Sequence, residues 1–267
     1  MTIPHLLATP AFPRVHAERL APALTFVREH APFIPKLALL WDTCLGNIPE
    51  LSRHAFPNTA FAGANAFDTS LDWSFGELGK KQYLLLANAS ALEVANAFII
   101  HVLAELGVQR LLVVKHARPL NPHFVPGEVM LIDDHINFTF TNPLRGQHRK
   151  EWGERWPDMS APYSPSLQNL ALALATKERI PLRRGVLLAM HAHTSAELQL
   201  AKRTGADALA AFSVAEILTA ISRRMQVLGL ARLGEAIWPT HIRAEETSLG
   251  GNAMLIQFLQ SLIKRIG

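Results

Sequence analysis

Four groups of residues have types and spacings that could do chemistry. Asp133-Asp134-His135 follows an apolar run at residues 129–132 and sets two acids beside a histidine, the material of an acid/base relay. His191 and His193 follow a second apolar run; a spacing of two puts both rings on one face of a strand. With His116 or Glu235 as a third ligand they would make a metal site, although two histidines alone do not satisfy zinc. Lys115, His116 and Arg118 crowd the end of a third run, and Glu235 stands as a lone acid after a fourth. A carboxylic acid there could protonate a leaving group.

The elements that position these groups alternate along the chain. Short apolar runs at residues 37–40, 82–86, 110–114, 129–132, 185–190 and 226–231 predict buried strands. Helical spacing predicts helices over residues 17–30, 92–106, 164–178, 214–224 and 251–265. Residues 47–80 show no strong periodicity and read as loop. Strands alternating with helices imply an α/β fold: a mixed, mainly parallel β-sheet flanked by helices. With no linker or internal repeat, residues 1–267 are expected to form a single domain. Between residues 137 and 163 runs a long polar connection that two tryptophans, Trp152 and Trp156, argue is ordered.

Composition narrows the function class. The formal net charge is +4, with the basic residues scattered, so no stripe suited to nucleic acid is expected. No apolar run reaches the ~20 residues of a membrane span. The first residues lack the basic stretch of a signal peptide, and Cys44 is the one cysteine, so a reducing, cytoplasmic setting is expected.

Residues 127–163 carry a resemblance. Met130, Ile132, Asp134-His135-Ile136-Asn137, Asn142-Pro143-Leu144, Gly146, Gly153, Arg155, Pro157, Met159, Ser160 and Tyr163 fall in the order of a segment of the trimeric purine nucleoside phosphorylase family, which this stretch resembles. Glu93, Ala117, Leu120, Asn121, Thr194, Gly205-Ala206-Asp207 and Glu216 extend it. The resemblance implies a nucleoside phosphorylase-like fold, a homotrimer, a purine nucleoside or related small molecule as ligand, phosphate as co-substrate, and no cofactor. It implies pentosyl transfer from a purine to phosphate.

Position by position, the resemblance places Thr43, Asn88, Ser90, His116, Trp156, Ala192 and Phe212 around the substrate, with His193 and Glu235 as the candidate catalytic groups. Trp156 matches a phenylalanine that reaches a neighbouring subunit's sugar site. Glu235 stands where the family bonds the purine ring with asparagine, and His193 where it uses glutamate. The phosphate motifs differ: Asp42 and Cys44 replace glycines, and no arginine lies between Arg53 and Arg110. A dianion held without charged donors loses the bonds that usually carry its affinity. The residues therefore favour altered or lost classical activity. A non-catalytic homologue serving binding, regulation or assembly is the alternative, and a metal-dependent hydrolase built on His191 and His193 a weaker one.

Overall fold

The computed structural model describes residues 17–42, 45, 71–88, 93–145, 148–190, 194–210, 214–234 and 249–266. Its strands are β1 (Leu37–Asp42), β2 (Leu71–Leu78), β3 (Lys81–Asn88), β4 (Arg110–Pro119), β5 (Val129–Asn137), β6 (Leu182–Ala189), β7 (Ala208–Ala210) and β8 (Gln226–Leu233). The helices are α1 (Ala17–His30), α2 (Glu93–Leu106), α3 (Pro165–Glu178), α4 (Ser195–Arg203), α5 (Ala215–Ser222) and α6 (Leu249–Ile266). The expected mixed, mainly parallel sheet flanked by helices is what forms: β3, β1, β4 and β8 are parallel neighbours, as are β5, β6 and β7.

Three antiparallel pairings shape this sheet. β2 hairpins onto β3, β5 pairs with β8, and the last two residues of β4 pair with β7. Because β4 also pairs with β8, strands β4, β7, β6, β5 and β8 close on themselves, and β1, β3 and β2 extend outward from β4.

Alternation along the strands feeds two cores. On β1, Ala38 and Leu40 join a cluster with Val102 and Leu103 of α2 and Ile217 of α5. Leu37, Leu39 and Trp41 face the opposite cluster, which holds Leu174 of α3 and Phe258 and Leu262 of α6. A smaller cluster, with Leu188 and Leu209, lies against Ala201 of α4. Close approach fixes one glycine: a Cβ on Gly229 would come within 2.7 Å of the ring of Tyr163.

Strands β2, β5 and β4 depart from the sequence expectation. β2 occupies a stretch read as loop; Gly79, with a φ of +68°, turns the chain back into β3. β5 runs five residues past its apolar run because its register with β6 shifts between Ile132 and Asp134. That bulge sends Asp133 to the surface, where it pairs with Arg184 at 3.1 Å. β4 likewise continues through Lys115–Pro119.

Within the connection from β5 to α3, Trp152 is the tryptophan that packs into the core. A 3₁₀ turn, Lys150–Trp152, buries this side chain. Its ring lies 4.2 Å from that of His101 on α2, with the guanidinium groups of Arg149 and Arg223 at 5.8 and 5.6 Å. Arg223 also bonds Glu105 at 2.7 Å. Burial, with Arg223 nearby, pushes His101 down to about 3.

That shift gives an acid dependence with a definite sign. Unfolded, His101 takes a proton near its ordinary 6.5; folded, it does so only near 3. Between these values the unfolded chain binds the extra proton, so stability falls as pH falls, by about 1.4 kcal/mol per unit, and the loss levels off below the folded value. Denaturant unfolding at about pH 7 and about pH 5 should show roughly 2 kcal/mol more acid loss in the wild type than in His101→Leu. Equal losses in the two proteins would contradict this assignment.

Candidate active site at the strand ends

Parallel strands β3, β1, β4 and β8 finish on one side of the sheet, the place where open α/β sheets bind ligands. In register, Asn88 of β3 lies beside Asp42 of β1, and His116 of β4 beside Arg232 of β8. β7 arrives there from the other direction. Leu209 pairs with Arg118 and Ala208 with Pro119, so its far end, Ala210, is carried back toward Ala117. Ala189, the last residue of β6, pairs with Ala210. Six strand ends thus converge near Ala117.

The sequence-predicted residues flank these ends. His116 and the backbone of Asn88 are at the convergence. Thr43, Ser90, Ala192, His193, Phe212 and Glu235 lie outside the described residues, as does His191. In sequence, Thr43 follows Asp42, Glu235 follows Gly234, and Phe212 comes two residues after Ala210. Trp156 is 58% exposed on the connection before α3, with the Arg155 guanidinium 5.4 Å over its ring. Among the described residues no group of three His, Cys, Asp or Glu side chains could hold a metal ion.

His116 is the best-defined of the predicted groups. Its backbone N–H donates to Oδ2 of Asp42 at 3.2 Å. Its ring packs where a side chain on Gly234 would otherwise go; a Cβ there would collide with Nε2. Burial lowers the pKa of His116, Asp42 opposes that shift, and Arg232 adds to it. The imidazole is therefore neutral at neutral pH, a donor or acceptor and not a cation.

Lys115 turns the other way along β4, on the side of Ala117. Its ammonium lies 3.6 Å from Oε1 of Glu216 on α5, with the two side chains 13% and 1% exposed. Beside them Tyr163 is fully buried, its hydroxyl 3.3 Å from Nδ1 of His135. Desolvation raises the Tyr163 pKa well above the ordinary value, with Asp134 and Glu216 adding to it. The phenol is a neutral hydrogen-bonding group. Asp134 accepts the backbone N–H of His135 at 2.8 Å while Asp133 faces Arg184, so Asp133-Asp134-His135 is split among three surroundings and forms no relay.

Sequence reasoning passed over Glu216 as a working group; it singled out Lys115 among the basic residues at a strand end and Asp42 as a replacement in the phosphate motif, without their partners. Asp42 was legible as an acid at a strand end, and Glu216 as a matched motif letter. Their partners come from other elements and leave no sequence signal.

Comparison with known proteins gives the class. Residues 44–247 match the model of the phosphorylase superfamily. Purine nucleoside phosphorylase 1 of Bacillus subtilis is 29% identical over 235 residues, 82% of this chain and 86% of that protein. The enzyme of the same name from Geobacillus stearothermophilus is 28% identical over 266 residues, 91% of this chain and 96% of that one. A Schistosoma mansoni purine nucleoside phosphorylase solved with adenosine shares the fold, with a TM-score of 0.81, 19% identity, and coverage of 95% of this chain and 99% of that one. The chain belongs to the phosphorylase superfamily and, within it, to the purine nucleoside phosphorylase family.

The buried ion pair yields a stability test. Lys115→Met removes a counter-charge from Glu216 and should cost about 3–5 kcal/mol in denaturant unfolding. Adding Glu216→Leu should recover most of that loss, because replacing both members of a buried pair by apolar groups is often neutral. A double variant no more stable than Lys115→Met would contradict the pairing.

Proposed function

We propose that the converging strand ends form a pocket for a purine nucleoside or a closely related small molecule, and that classical phosphate-dependent cleavage there is altered or lost. The observation that carries this reading is the Asp42–His116 contact. A carboxylate occupies the end of β1, where the family resemblance places a glycine-rich phosphate turn, and it holds a backbone N–H of β4. By family the parent reaction moves a pentosyl group from a purine to phosphate, with phosphate as co-substrate and no cofactor.

In this reading Thr43, Asn88, Ser90, His116, Ala192 and Phe212 line the pocket, and Trp156 completes the site of a neighbouring subunit in a cytoplasmic homotrimer. His193 bonds the purine ring. Glu235 protonates it as the glycosidic bond breaks, a role that contributes roughly 10²–10⁴-fold in rate. Retention of a folded pocket also accommodates a homologue that binds without turnover. The Schistosoma enzyme solved with guanosine shows that the shared fold holds such a ligand in that protein.

The test is titration calorimetry of the full chain with inosine, guanosine, adenosine and methylthioadenosine, followed by cleavage assays with and without phosphate. Binding of at least one nucleoside with a Kd below about 1 mM is expected, the level that corresponds to roughly 4 kcal/mol of binding energy, together with no phosphate-dependent formation of sugar phosphate. Absence of binding to all four, or efficient phosphorolysis, would overturn the proposal.

A further inference from the structure

Resting on the reading that Trp156 completes a neighbouring subunit's site, we infer that Trp152 is its positioning residue: the buried tryptophan mounts the segment on α2 and the end of α5, so that the exposed one is presented in a set place. The contrast between the two side chains is the first observation. Trp152 is buried in the core cluster that holds Val102 of α2, Val113 of β4 and Ile217 of α5. Trp156, four residues further along the chain, is 58% exposed. An extended chain advances at most about 3.6 Å per residue, so fixing Trp152 confines the backbone of Trp156 to within roughly 14 Å of it.

The second observation is how Trp152 is held. Its ring lies 4.2 Å from that of His101 on α2, tilted by 36°. The guanidinium groups of Arg149 and Arg223 lie 5.8 and 5.6 Å from its centroid, within the range of a cation–π contact. Arg223 is in turn tied to Glu105 of α2 at 2.7 Å. Filling a core asks only for apolar volume. This arrangement also uses the face of an aromatic ring, and it joins the connection to two helices.

Third, the backbone that leaves Trp152 has a set direction. The N–H groups of Trp152 and Gly153 donate to the carbonyl oxygens of Arg149 and Lys150 at 3.0 and 3.2 Å. Nε2 of His148 donates to the Gly153 carbonyl oxygen, 3.0 Å away. Gly153 has a φ of +102°, and a Cβ there would stand 3.1 Å from the Ser222 carbonyl oxygen, so the chain lies close against the end of α5. Beyond Trp156 the chain is tied down again. Asp158 accepts the N–H and the hydroxyl of Ser160 at 2.9 and 3.0 Å, and the N–H of Ser164 donates to the carbonyl oxygen of Val227 on β8 at 2.8 Å.

Residues 154–157 therefore span two anchored points, with the Arg155 guanidinium 5.4 Å over the ring they present. An aromatic group ordered before its ligand arrives loses less entropy on binding, which is the gain a mount supplies. Nucleoside affinity thus depends on Trp152 through Trp156.

The experiment is titration calorimetry of the full chain with whichever of the four nucleosides binds most tightly, paired with denaturant unfolding. The variants are Trp152→Ala, Trp152→Phe, Trp156→Ala and the double Trp152→Ala/Trp156→Ala. Each single alanine variant should bind roughly tenfold more weakly, the scale of a truncated aromatic anchor. The double variant should lose no more than that, because both changes remove the same anchor and their effects do not add. Trp152→Phe keeps an aromatic face for Arg149 and Arg223 and should bind within about threefold of the wild type. Unfolding should shift to lower denaturant in Trp152→Ala and stay in place in Trp156→Ala, which separates affinity from stability. His148→Ala, which frees the Gly153 carbonyl and leaves the core whole, should weaken binding about threefold, and it replaces Trp152→Ala in the cycle if that variant does not fold.

Losses that add, with the double variant about 100-fold weaker than the wild type, would overturn the inference, because independent sites are additive. So would wild-type affinity in Trp152→Ala. Wild-type affinity in Trp156→Ala would remove the neighbouring-site reading and the inference with it, whereas failure of the wild type to bind any nucleoside would sink the pocket reading beneath both.

Discussion

The hydrogen-bonding capacity of one strand constrains the rest of the structure. β4 is long enough to pair with β8 over Arg110–Ala117 and then, over its last two residues, with β7 running the other way. Its other edge pairs with β1. Those pairings close five strands into a ring, leave β1, β3 and β2 as an extension, and bring strand ends of opposite direction to one place. Backbone groups buried in such a structure must be paired, so shortening β4 would orphan donors on three neighbours.

Closing the ring creates an interior that has to be filled, and the filling is partly polar. Tyr163, His135, Lys115 and Glu216 lie among Ile132, Leu187 and Ala231, with Gly229 leaving room for the Tyr163 ring. Of these, His135, Tyr163 and Glu216 are letters shared with the family resemblance, while Lys115 is particular to this chain. The shared letters of the central segment thus describe a buried scaffold. The differences collect where Asp42 and His116 meet. An architecture can persist while the chemistry at its rim is rewritten, because packing and ligand contact are met by different side chains.

Much of the fold was readable in the sequence, for identifiable reasons. Helix α1 was predicted with its observed ends, and α2 within one residue, because helical spacing is local information. The strand β2 was readable too: Leu71, Trp73 and Phe75 alternate with Asp72 and Ser74 ahead of a Gly79 turn, a period-two pattern that a search for helical spacing passes over. The continuation of β5 through Asp133 and Asp134 was hidden because a bulge overrides the binary pattern. At the site, residue types pointed to the strand ends, but the partner of each group did not follow from them. Lys115 reads as a free cation until α5 brings Glu216 to it, 101 positions later in the chain.

A crystal structure of the full chain grown with inosine and phosphate together tests the central claim most directly. The account predicts the nucleoside at the convergence of β1, β4 and β8, in contact with His116, with Asp42 still on the His116 N–H and no phosphate beside it. A phosphate ion on that N–H with Asp42 turned away, or a nucleoside bound at another place on the molecule, would contradict it.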